Sequence, residues 1–103
     1  MTPDSATTVD AAIQRALDAY AALAELGEEI EDEWTYVNDL NAAWHERLEA
    51  AATAGQDRSL DPDTLTAIDA AIAEIERIGD PHRAIDWLST FPQIVLLALG
   101  ERP

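Results

Sequence analysis

The sequence predicts an all-α fold, and three observations predict it. Twenty of the 103 residues are Ala, Gly numbers four and β-branched side chains are sparse, so the chain is dominated by the strong helix formers Ala, Leu, Glu and Arg. No stretch alternates apolar and polar residues long enough to suggest a strand. Apolar residues instead recur at steps of three and four, and two Asp–Pro pairs, Asp61–Pro62 and Asp80–Pro81, carry the cap-plus-proline signature of a helix start. One domain of this length can bury a single modest core.

Residues 1–7 hold little to bury and are expected to form a disordered tail. From Val9 a seam begins: Val9, Ile13, Ala16, Tyr20, Leu23, Gly27, Ile30, Trp34, Val37, Asn41, Trp44, Leu48 and Ala51 follow one another at alternating steps of four and three. Such a heptad pattern predicts one long helix over about 8–53, roughly 70 Å in length. Gly27 is the weak point, since Gly costs helix stability and commonly lies just past a helix end; it admits a kink, or a break into two helices. In the first half Ala12, Leu17, Ala19, Ala24 and Leu26 flank the seam and widen the apolar face, so this half needs more than one neighbour. After a polar connection at 54–59, a second helix is predicted over 61–78, with Leu65, Ile68, Ile72, Ile75 and Ile78 on its stripe. Two short C-terminal helices follow within 81–99, the second starting at Phe91–Pro92.

Charge narrows the function classes. Twenty-one Asp and Glu against six Arg and no Lys give a net charge of −15, a field that repels nucleic acid and anionic membranes. The same balance is also what high-GC coding or adaptation to salt produces. The absence of Cys excludes disulfides, a thiolate nucleophile and Cys-ligated zinc. The first twenty residues lack a basic start and an apolar core, and the longest apolar run, Ile94–Leu99, is far too short to span a bilayer, so a soluble cytoplasmic protein is expected.

Opposite the seam, Asp18, Glu25, Asp32, Asp39 and Glu46 recur every seven residues. On a continuous helix they form an outward acidic stripe, ordinary as a solvated face and usable as a docking surface for a partner. Glu25–Glu33 is the densest stretch, with six carboxylates in nine residues. There Glu25 with Glu29 and Glu28 with Asp32 are four apart, so these four residues are the candidates for holding Mg²⁺, a hard cation that takes carboxylate oxygens. The string Glu29-Ile30-Glu31-Asp32-Glu33-Trp34-Thr35-Tyr36 resembles the second acidic motif of all-α nucleotide pyrophosphohydrolases, a resemblance that implies Mg²⁺-dependent hydrolysis. It covers about eight residues, and the Glu-x-x-Glu pair that family carries on an earlier helix is missing here. Leu40-Asn41-Ala42-Ala43-Trp44 is similar to the middle of small secreted helical-hairpin proteins, but Trp44-His45-Glu46 lacks the Gly of their Trp-x-Gly turn. His45 and His82 have no sequence partners that suggest a metal or acid–base site, and no nucleophile–His spacing or phosphate loop is present.

The aromatics complete the picture. Ile30, Trp34, Val37, Asn41 and Trp44 on the seam, with Trp87 and Phe91 near the C-terminus, are the expected apolar contacts of a dimer. A 70 Å seam exceeds what the later helices of one chain can cover, and a buried Asn at a seam position sets register between two copies. The expectation is a non-enzymatic, homodimeric helical adaptor, scaffold or regulator that binds another protein, with no catalytic residue and no cofactor. The alternatives are an acidic mimic of nucleic acid that inhibits a DNA-binding protein, and the Mg²⁺-dependent pyrophosphohydrolase-like enzyme.

Overall fold

Thr8 starts the first helix: its backbone is extended, and its Oγ1 accepts the Ala11 N–H at 3.1 Å, satisfying one of the donors a helix start leaves open. The computed structural model describes residues 8–55 and 58–100. Within them lie four α-helices: α1 (Val9–Gly27), α2 (Trp34–Ala54), α3 (Pro62–Glu76) and α4 (Pro81–Ala98). The expected tail at 1–7 lies outside the described residues.

The long helix predicted over 8–53 is divided. Gly27 is the last residue of α1, a turn follows through Ile30, and a single 3-10 turn at Glu31–Glu33 leads into α2. Electrostatics accounts for the place of the break. A helix C-terminus carries partial negative charge, so Glu28 and Glu29 disfavour its extension, whereas Glu31, Asp32 and Glu33 lie just before the positive start of α2. Gly27 also lets the helices approach, since a Cβ there would lie 3.2 Å from Ile85 Cγ1 and 3.4 Å from Val37 Cγ2.

Folding back explains why the seam runs through the break unchanged. Gly27 meets Val37 near the top of the bundle and Gly55 meets Val9 at its foot, so α2 runs antiparallel to α1. Both arms then turn the same stripe inward: Ile13, Ala16, Tyr20 and Leu23 are buried from α1, Val37 and Leu48 from α2. With the chain returned on itself, no 70 Å seam is left for a second copy to cover. Val37 and Phe91, expected in a dimer contact, are fully buried within the one chain.

The link from α2 to α3 crosses the foot of α1, where the Val9 N–H donates to the Arg58 carbonyl at 2.8 Å and Thr8 bridges Ser59. Asp61 then caps α3, accepting the Thr64 N–H at 2.7 Å, and that bond holds its carboxyl below the usual range. Asp80 caps α4 by accepting the His82 N–H. Packing places α1 and α4 against each other, with α2 and α3 flanking that pair on opposite sides. The bundle measures 49 × 24 × 19 Å.

The two short C-terminal helices predicted over 81–99 are one, with Pro92 in its interior. Proline has no N–H to give the carbonyl four residues back, which here is that of Leu88. A side chain from another helix supplies the missing donor. The Tyr20 hydroxyl donates to the Leu88 carbonyl at 2.7 Å, with a longer contact of 3.4 Å to the Leu40 carbonyl. Tyr20 is fully buried, its ring stacks on Phe91 at 6.2 Å between centroids, and burial pushes its phenol well above the ordinary value.

Candidate functional site

Three helices cover most of α1, as its wide apolar face required, but its contact with α3 is incomplete. The two helices run parallel: both start at the foot, where Thr8 bridges Ser59, and further along Arg15 on α1 reaches Asp69 on α3. Where they face each other α1 offers Ala19 and Ala22, and α3 offers Ala73. Three methyl groups cannot fill the gap that Leu or Ile would close, and an open groove of about 650 Å³ results. Its floor is formed by Leu23, Ile72 and Ile75, which are buried in the core, and by Leu26 and Ile78, which are half-buried.

Charge frames this apolar floor. At the foot Arg15 Nη2 lies 2.8 Å from Asp69 Oδ1, a charge contact without aligned hydrogen-bond geometry, with both side chains about half exposed. Asp18 on the α1 wall and Glu76 on the α3 wall are exposed. Ala22 and Ala73 are exposed as well, so the groove is open along its length. Here the structure brings together residues that sequence reasoning did not join. The available signal was the set of Ala residues flanking the seam, which marked a wide face on α1 without saying which neighbour would leave it uncovered.

The predicted acidic residues are exposed or lie at the turn, but folding back separates them. Asp18 and Glu25 belong to α1, Asp32 to the 3-10 turn, and Asp39 and Glu46 to α2, so the single stripe becomes two pairs on antiparallel helices. The proposed cation quartet loses its basis in the same way. Glu25 sits in α1 while Glu28, Glu29 and Asp32 lie beyond its end, so the four-residue spacing no longer makes them neighbours on one helix face. Among the described residues no group of three His, Cys, Asp or Glu is placed to hold a metal ion.

The aromatic and seam residues divide by depth. Trp34 is 54% exposed and Tyr36 50%, both at the head of α2 where the hairpin turns. Ile30, Asn41, Trp44 and Trp87 are half-buried, and the Arg47 guanidinium lies 4.6 Å from the centre of the Trp44 ring. Asn41 Oδ1 is buried without a hydrogen-bond partner. His45 pairs with Glu49 one turn away at 3.3 Å. No helix among the described residues is long and apolar enough to cross a membrane. No family model matches the chain, and comparison with curated proteins and with solved structures likewise returns no match.

Proposed function

We propose that this chain is a non-enzymatic helical module that binds another protein through the groove between α1 and α3. The observation that carries this reading is the open groove of about 650 Å³ between α1 and α3, where the small side chains of Ala19, Ala22 and Ala73 leave Leu26 and Ile78 half-buried in a chain rich in carboxylates. An apolar trough of this kind gains free energy when a partner's apolar side chains displace its water. The exposed carboxylates keep the free chain apart from its copies and steer cationic partners towards it.

The acidic-mimic reading has less support, because an even line of carboxylates was its motivation and the hairpin breaks that line. The hydrolase reading loses the helical spacing of its carboxylates at the same turn.

The test is capture of partners from the native lysate by the immobilised chain and by its Ala22→Trp variant. Ala22 is exposed, so the indole fills the groove without disturbing the core. Partners retained by the parent chain and lost by the variant are expected; an identical captured set would refute the reading.

A further inference from the structure

We infer that the occupant of the α1–α3 groove is a cationic amphipathic helix of a partner protein. This rests on the groove being a protein-binding site, and it adds the chemistry of what binds. The shape selects the secondary structure. Both walls are helices, whose backbone groups are bonded within themselves, so the groove offers no sheet edge with which an extended peptide could pair. From Arg15 to Leu26 the α1 wall is about 16 Å long, the length of roughly 11 helical residues. A helix laid there places apolar side chains on the floor at spacings of three and four, while the methyl groups of Ala19, Ala22 and Ala73 allow its backbone to approach closely.

Charge selects the flanks of that helix. Asp69 is balanced by Arg15, which leaves Asp18 on one wall and Glu76 on the other facing whatever lies between them. A bound helix therefore meets a carboxylate on each side of its apolar stripe. The head of the groove adds to the effect. α1 ends without a basic residue in its last turn and runs into Glu28 and Glu29, so its negative end is uncompensated there; α3 has Arg77 at its cap. The whole chain, at −15, adds long-range attraction for cations. A second copy carries the same charge and is repelled, as are phosphate backbones and anionic lipid.

The probe is a synthetic 16-residue helical peptide with Leu at four positions spaced by three and four and Arg on both flanks, labelled with fluorescein. Its counterpart carries Glu in place of every Arg. Anisotropy titrations with the full chain are expected to show the Arg peptide binding at least about tenfold more tightly than the Glu peptide, with affinity falling as salt is raised. Ala22→Trp should weaken binding about tenfold by filling the floor. Asp18→Asn with Glu76→Gln should weaken it several-fold. Asp39→Asn with Glu46→Gln, which removes the same charge from α2 and so only its long-range share, should weaken it by less than about twofold. Equal losses from the two charge-removing pairs would overturn the inference in favour of unspecific attraction, and so would binding indifferent to Ala22→Trp. If the Arg peptide fails while Ala22→Trp still abolishes capture of lysate partners, the groove binds protein but not a cationic helix. A dimer in sedimentation that Ala22→Trp dissociates would give the groove to a second copy and overturn the inference as well.

Discussion

Replacing Tyr20 by Phe removes one oxygen and should cost more than most single-atom changes, because that oxygen holds together two parts of the fold. Its hydroxyl lies 2.7 Å from the Leu88 carbonyl, the one that Pro92 leaves without its helical donor. In Tyr20→Phe the aromatic packing on Phe91 is kept, and what is lost is a hydrogen bond to an acceptor that stays buried. An unsatisfied buried acceptor costs about 1–3 kcal/mol, so a loss of about 2 kcal/mol is expected. In a domain of this size that lowers the melting midpoint by roughly 8–16 °C. The decisive comparison is a double-mutant cycle with Pro92→Ala. Alanine restores an N–H to the Leu88 carbonyl, so in that background Tyr20→Phe should cost only about 0.5 kcal/mol, a coupling of about 1.5 kcal/mol. Urea unfolding followed by far-UV circular dichroism, with unchanged slopes, measures all four corners. Equal costs of Tyr20→Phe in the two backgrounds would refute the idea that the phenol substitutes for the missing proline donor.

Because burial raises the Tyr20 phenol in the folded state, its contribution to stability is complete below the ordinary tyrosine value near 10 and is lost as pH rises above it. Unfolding free energy measured from pH 8 upward should therefore fall beyond pH 10 in the parent chain and fall less steeply in Tyr20→Phe. Trp34 and Leu48 occupy equivalent seam positions, yet Trp34 is 54% exposed and Leu48 fully buried. Trp34→Ala should change stability by no more than about 0.5 kcal/mol and Leu48→Ala should cost about 2–5 kcal/mol, both read by urea titration. Salt from low to moderate concentration should raise the melting midpoint by screening the carboxylates at 28–33, where five of six residues are acidic. A flat or falling midpoint would show those charges to be compensated.

The helical class, the helix caps and most of the buried stripe follow from the order of the amino acids alone. Asp61–Pro62 and Asp80–Pro81 start helices where they stand because a cap and a proline act within one turn, and the three-four spacing marks the face that α1 buries from Val9 to Leu23 and that α2 buries at Val37 and Leu48, although Trp34 on the same seam stays exposed. Whether that stripe continues straight or folds back was not legible, since periodicity reports the phase of a helix and not its continuity. A connection at 28–33 that happens to preserve phase looks the same as a turn and a half of helix. Tertiary structure decided it, because a hairpin lets each half of the stripe cover the other. Pro92 was misleading for a related reason: its missing donor reads locally as a helix break, and the replacement comes from Tyr20, 72 positions away in the chain. The groove was hidden most completely. Ala19, Ala22 and Ala73 are unremarkable in a chain with twenty alanines, and only the parallel packing of α1 on α3 sets those three methyl groups opposite one another with space between them.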